Sequence, residues 1–399
     1  MNLKSFSLFL ATTVLLSSTV APLSQAATPQ PITTTTVPTL AMGTHLITRL
    51  GDSGNQAGQV SEIASDYDYS SRRLVTAVRT AGNRLKLISW RVASNGDVVR
   101  LGDSGNQAGE TTQIDIAAGN QVVTASRTAS GNLKLISWQV DPASGDISRL
   151  GDSGNQAGTA SVIKIMQIHP QTYVTAVRTA SGNLKLISWY LQPDGSLVRL
   201  QDSGNTAGAI SEIALSGLSI QDRRHVVTAV RTEQGRLKVI LWEVDQQGEI
   251  TRRGDSGNQA GQARMIRVAK SGNYIVTAVR TAAGRLKLIS WDAVATQGGQ
   301  INLVRVADSG NQAGEIGDNA LIFSPRGVTS AVKTASDKLK LIRWHVTPTG
   351  TIDRLGDSGN QAGNASLINL TAFSEQTLLV TPLKTSSNRL KLISWEDGI

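Results

Sequence analysis

The residues best suited to chemistry sit in a short segment, LGDSGNQAG, that recurs seven times with small changes. Each copy brings an aspartate and an asparagine: Asp52 and Asn55, Asp103 and Asn106, Asp152 and Asn155, Asp202 and Asn205, Asp255 and Asn258, Asp308 and Asn311, Asp357 and Asn360. Both side chains accept hydrogen bonds from sugar hydroxyls, and Asn also donates. Three cations accompany each copy. The first set is Arg79, Arg127, Arg178, Arg231, Arg280, Lys333 and Lys384. The second is Lys86, Lys134, Lys185, Lys238, Lys287, Lys340 and Lys391. The third is Arg49, Arg100, Arg149, Arg199, Arg252, Arg305 and Arg354. Arginine forks suit carboxylate or sulfate. These 21 cations and seven aspartates sum to +14, whereas the whole chain is +9, so the basic charge belongs to the repeat. Two roles fit the set. One is an Arg–Asp–Lys network tying neighbouring repeats, with Asp also capping its own loop. The other is seven equivalent pockets for an anionic or hydroxyl-rich ligand.

The elements that must position these residues follow from the period. Successive aspartates lie 51, 49, 50, 53, 53 and 49 residues apart. A period near 50 points to stacked supersecondary units. After the first DSGNQAG comes a weak apolar segment, 60–64, which is strand a of the repeat. The β-branched run LVTAVRT (74–80) reads as strand b. The turn AGN, or ASGN in other copies, tolerates positive φ and suits a hairpin. LKLISWRV (85–92) is strand c, Asn95-Gly96 makes the next turn, and 97–101 is strand d. Four short antiparallel strands repeated seven times predict an all-β, seven-bladed β-propeller. Alternating strand direction places DSGNQAG, the b–c turn and all three cation sets toward one face of the ring.

The final copy stops after strand c, at Trp395, while the segment 45–50 matches strand d and precedes the first DSGNQAG. One early strand therefore completes the last blade, so that strand c of that blade is not left as an exposed edge. This closure resembles that of WD40-type propellers over 45–399. The resemblance is one of architecture, since no Trp-Asp dipeptide recurs from repeat to repeat (Trp291-Asp292 stands alone) and every Trp ends an LKLISW-like motif instead. Those seven residues, Trp90, Trp138, Trp189, Trp242, Trp291, Trp344 and Trp395, are expected to fill the gaps between blades. A sugar-stacking platform on each blade is the rival role.

Residues 1–26 read as a bacterial secretory signal: Lys4, an apolar stretch to Val20, and small residues before a cleavage site after Ala26. Residues 27–44, rich in Thr and Pro, read as a spacer. The expected location is outside the cytoplasm, secreted, periplasmic or at the cell surface, with no transmembrane segment once the signal is removed. With no cysteine and with His45, His169, His225 and His345 in no common repeat position, no repeated metal site and no cofactor are expected.

Three short motifs carry little weight. GDSG resembles the protease GDSGG, but seven serines without a positioned base do not make a triad. Arg253-Gly254-Asp255-Ser256 spells an adhesion motif that one change from Leu would create. Asn364 and Asn369 fit glycosylation sequons, which are read as bare residues in a bacterial context. The longest departures from the repeat, 217–224 and 293–300, show no cluster of catalytic residue types. The expected function is a non-enzymatic, multivalent, lectin-like module. Its partner would be a glycan or anionic polymer at a surface, held by the aspartates, asparagines and first cation set, and not nucleic acid. The alternative is a rigid scaffold for a cell-surface protein. An enzyme would need a unique carboxylate or His in the central channel.

Overall fold

In the computed structural model, residues 46–54, 56–119, 121–257, 259–296, 300–373 and 377–398 are described. The signal segment 1–26, the spacer 27–44, His45, Asn55 and Asn258 lie outside the described residues. Seven antiparallel sheets form the seven blades. Blade 1 is Val60–Asp68, Arg73–Thr80, Leu85–Val92 and Val98–Asp103, paired in that order as strands a to d. Strand c matches the expected range, and strand d runs two residues further, so that Asp103 closes the strand. Blade 7 takes strand d from Ile47–Asp52, which pairs antiparallel with strand c, Leu390–Asp397. The ring closes as its sequence predicted. Strand a of blade 7 is split into Leu367–Ile368 and Thr371–Ala372. The cause lies in strand b: Asn369 N donates to Pro382 O at 2.8 Å, and proline has no N–H to return the bond.

Strands b and c are buried on both faces because each sheet packs between two others. The cores are shared by adjacent blades. Val75, Ala77, Leu85 and Leu87 of blade 1 pack with Ile114, Ile136 and Trp138 of blade 2. Likewise Val123, Ala125, Leu133 and Leu135 of blade 2 meet Trp189 of blade 3. Each Trp therefore lies on the face of the preceding blade. All seven are at most 1 % exposed. Every indole N–H is satisfied within its own blade, from Trp90 to Thr76 Oγ1 at 2.9 Å through Trp344 to Ser330 Oγ at 2.9 Å. A buried, hydrogen-bonded Trp cannot stack on a sugar, so these rings are packing elements. Truncating one to Ala costs about 3–5 kcal/mol in such cores.

A second tie crosses five of the blade junctions. The strand c serine donates its hydroxyl to the c–d turn of the next blade: Ser89 to Gly145 O, Ser137 to Gly195 O, Ser188 to Gly248 O, Ser290 to Gly350 O and Ser394 to Gly96 O. The RLGD glycine sits under that turn. A Cβ on Gly151 would lie 2.6 Å from Gly195 O, a close approach that favours glycine here, although Gln201 and Ala307 hold the position in two other copies. Among the described residues no helix is long and apolar enough to cross a membrane.

Candidate functional site

Each DSGNQAG begins on the last residue of strand d and turns sharply into the next blade. In blade 1, Asp103 Oδ1 accepts from Gly105 N at 2.7 Å, and Gly105 has φ +58°, a conformation that favours glycine. Asp103 Oδ2 takes Lys86 at 3.4 Å from strand c and the guanidinium of Arg100 from strand d. The arrangement repeats in every blade. Asp152 holds Lys134 at 3.0 Å and Arg149. Asp202 holds Lys185 at 3.5 Å and Arg199. Asp255 holds Lys238 at 3.3 Å and Arg252. Asp308 holds Lys287 at 3.4 Å and Arg305. Asp357 holds Lys340 at 3.4 Å and Arg354. Asp52 holds Lys391 at 2.9 Å and Arg49. Partial burial pulls each carboxyl upward, but the glycine amide and the two cations outweigh it and hold all seven below the usual carboxylate range.

The first cation set does not join these clusters. It spans the junction to the next blade. Arg127, Arg178, Arg231 and Arg280 donate Nε–H to the carbonyls of Ala160, Ile210, Ala263 and Ile316, each the first residue of the following strand a, at 2.6–2.9 Å. Arg79 bonds Asn83 Oδ1 at 3.1 Å, and Lys333 pairs with Asp337 at 2.7 Å. Lys384 holds the same position, half-buried. The loop asparagines differ: Asn106, Asn155, Asn205, Asn311 and Asn360 are exposed at the loop tips.

Two loop residues that the sequence reading passed over are structural. The loop serine mimics a strand pairing: Ser104 N donates to Leu87 O at 3.0 Å, and Leu87 N donates to Ser104 Oγ at 3.0 Å. The seven serines are no more than 8 % exposed, so none offers a nucleophile. The loop glutamine locks the strand d arginine. Gln56 Oε1 accepts from Arg100 N at 2.9 Å, and Gln56 O accepts from its guanidinium at 2.7 Å. The signal was available, since Gln fills the position in six copies and Thr206 in the remaining one. In the copy with Thr206, the guanidinium of Arg252 still reaches the loop carbonyl.

The adhesion-like motif is not displayed. Arg253 is tied to Glu243 at 2.7 Å, Asp255 lies in the blade 4 cluster, and Ser256 is buried. A Cβ on Gly254 would collide with Ile301 O at 1.7 Å.

Blade-specific chemistry lies elsewhere. The seven strands a enclose a central cavity of about 280 Å³. Asp115 pairs with Lys164 at 3.3 Å, and Arg267 with Asp318 at 3.5 Å. The strands a therefore carry blade-specific carboxylates, of which Asp115 lines the cavity, and four of them accept from the backbone of the neighbouring blade. Asp115 accepts from Ile165 N at 2.9 Å, Asp66 from Ala118 N at 2.8 Å, Glu212 from Ile266 N at 3.1 Å and Asp318 from Ile368 N at 3.2 Å. Desolvation pushes Glu62 and Asp66 up to about 7, outweighing their backbone hydrogen bonds and the cations near Glu62.

With the geometry described, comparison with solved structures is direct. The chain is similar to the β-propeller domain of Cps50 (Swd1) from Myceliophteria thermophila, at 13% identity and TM-score 0.52, over 85% of this chain and 99% of that one. It is also similar to Sqt1 from Chaetomium thermophilum, at 12% identity and TM-score 0.50, over 83% and 81% of the two chains. The fold is a seven-bladed β-propeller. At this identity the likeness shows the fold alone. No family model matches the chain, and no curated protein matches it.

If the aspartate clusters are structural, substitution reads out in stability. Asp152→Asn keeps an acceptor for Gly154 N and loses only half-exposed ion pairs, for an expected cost under about 1 kcal/mol. Asp152→Ala loses the loop cap as well, adding about 1 kcal/mol. Urea denaturation of both variants checks the order, and equal costs would assign no role to the cap.

Proposed function

We propose that this protein is a non-enzymatic binding scaffold of the cell envelope or exterior that engages a protein partner along the outer edge of blades 5 and 6. The observation that carries this reading is the placement of exposed apolar side chains. Val294, Val304 and Val306 of blade 5 and Leu355 of blade 6 are each 40–51 % exposed, on or beside the outermost strands. The blade 5 outer strand, Ile301–Asp308, has 8 residues where that of blade 1 has 6. A long apolar edge strand is a surface that proteins cover, bulge or charge unless something binds it. The sevenfold charges, by contrast, are engaged within and between blades. Photo-crosslinkers placed at Val304 and at Asn106 test the proposal. A discrete protein adduct from Val304 that vanishes in Val306→Lys supports it; adducts of equal yield from both sites, or insensitivity to the lysine, would sink it.

A lectin-like role is the second reading, carried by the exposed loop asparagines. It predicts glycan-array binding that is lost when Asn106, Asn155, Asn205, Asn311 and Asn360 are changed together to Ala, with stability unchanged.

A further inference from the structure

The two longest departures from the repeat are 217–224 and 293–300, and the fold brings Ile220 and Arg223 of the first beside Ala295 of the second. Blade 4 has the longest a–b hairpin: Ile210–Ile220 and Arg223–Thr232 run 11 and 10 residues, against 9 and 8 in blade 1. Blade 5 has the longest c–d hairpin, with Leu286–Ala295 and Ile301–Asp308. Between them lies a cavity of about 170 Å³ lined by Ile220, Arg223, His225, Glu243, Arg253 and Ile301. At about 30 Å³ per water it has room for five or six waters.

Two of these side chains stand at positions that vary from blade to blade, and Arg253 breaks a position that is Leu in five blades. His225 and Glu243 face each other across strands b and c, where blade 1 has Arg73 and Arg91. Arg253 stands where blade 1 has Leu101. The departures are complementary. Glu243 Oε1 accepts from Arg223 at 2.9 Å and Oε2 from Arg253 Nε at 2.7 Å. Its partial burial favours protonation, but the two arginines outweigh this and hold it ionised. Each arginine spends one donor there, and its other guanidinium donors have no hydrogen-bond partner among the described residues. His225 is 2 % exposed, and its Nδ1 lies 3.0 Å from Arg223 O, an acceptor, so Nδ1 carries the proton. Nε2 then presents a lone pair 4.0 Å from Glu243 Oε2. Two acceptors at that distance face a gap that only a donor can bridge.

We propose that this cavity binds a small carboxylate carrying a nearby hydroxyl, the chemistry of a sugar acid. The carboxylate takes the spare guanidinium donors of Arg223 and Arg253, in the planar manner to which arginine is suited. The hydroxyl donates between His225 Nε2 and Glu243 Oε2. The walls of Ile220 and Ile301 take the apolar edge. The pocket's charge is +1 with His225 neutral, which fits a monoanion. This site does not rest on the scaffold reading, since none of Val294, Val304, Val306 and Leu355 lines it.

The test is saturation-transfer NMR and calorimetry on the full propeller with glucuronate, its methyl ester and glucose. Glucuronate is expected to bind, and the two neutral compounds are not. Arg253→Leu restores the residue of blade 1 and so spares the fold; it is expected to weaken binding at least tenfold, about the worth of one charged hydrogen bond. Arg223→Ala, an exposed change, acts in the same direction. A uronate oligosaccharide separates the two sources of this chemistry, with tighter binding for a polymer-derived ligand and weaker binding for a free sugar acid. No glucuronate binding at millimolar concentration, or equal binding by Arg253→Leu and wild type, would overturn the assignment.

Discussion

Changing Arg343 to Ser should destabilise the propeller by about 3–5 kcal/mol, the cost of stranding one member of a buried ion pair. Nothing in the repeat suggests so large an effect, because Ser is what most blades carry there. The reason is the seam. At five junctions a strand c serine ties to the c–d turn of the next blade. Between blades 6 and 7 no such turn exists, since strands c and d of blade 7 come from opposite ends of the propeller. Arg343 replaces the serine and reaches Asp397 at 2.5 Å, with 4 % and 2 % of their side-chain surfaces exposed. Ser324 Oγ donates to the same carboxylate oxygen at 3.0 Å. Burial disfavours charge on both partners, pushing the Asp397 carboxyl up and the Arg343 guanidinium down, and each offsets part of the other's penalty.

The consequence is asymmetric. Removing either partner leaves a buried charge, whereas removing both leaves a junction that can repack. Arg343→Ser and Asp397→Ala should each be costly, and the double variant should recover part of the loss, a coupling that a double-mutant cycle reads directly. Ser137→Ala at the blade 2–3 junction is the control, with an expected cost of about 0.5–1.5 kcal/mol. Guanidinium denaturation decides the matter. If Arg343→Ser costs no more than Ser137→Ala, the pair does not hold the seam.

The difference between these junctions shows what the sequence could and could not convey. Blade number, strand order, closure by the early strand and the place of every Trp follow from period and alternation, because those depend on spacing within one repeat. Strand c was legible to the residue for the same reason: LKLISW alternates and is bounded by turns. Contacts that cross from blade to blade were not legible. Arg127 meets the carbonyl of Ala160, and no pattern in either segment announces that pairing. The aspartate clusters were half-visible. Lys134 and Arg149 share a blade with Asp152 and were placed with it, whereas the glutamine that locks Arg149 enters from the preceding loop. The blade 4–5 cavity was hidden altogether, since His225, Glu243, Arg253 and Ile301 are brought together by two elongated hairpins on different blades.

Two carboxylates on strand a of blade 1 give the propeller an unusual stability profile with pH. Glu62 rises from 4.5, and Asp66 from 3.8, each to about 7. Desolvation leads in both. Asp66 keeps some accessible surface but is enclosed by protein, and Asp115 and Asp68 add repulsion. Lys164 and Arg79 pull Glu62 down, but not enough. A folded pKa above the unfolded value means the fold favours the protonated form. That stability is complete below about pH 4 and is lost as pH rises through about 7. At about 1.4 kcal/mol per unit, the loss is on the order of 3 kcal/mol for each group. The seven loop aspartates work in the opposite direction. Their folded values are lowered, so their contribution is present above about pH 4 and is lost as pH falls through the folded values. His225, which burial holds neutral, also favours higher pH, but Asp318 and Asp397 are raised by burial and oppose it along with Glu62 and Asp66. The net expectation is maximal stability near pH 5, declining toward pH 8 and again as pH falls below about 4. Asp66→Asn keeps a carbonyl acceptor for Ala118 N and removes the charge, so it should flatten the limb between pH 5 and 8 and leave the acid limb in place. Denaturation midpoints across this range check both limbs. A midpoint that rises from pH 5 to 8, or an Asp66→Asn profile that matches wild type, would show that these carboxylates stay ionised without cost.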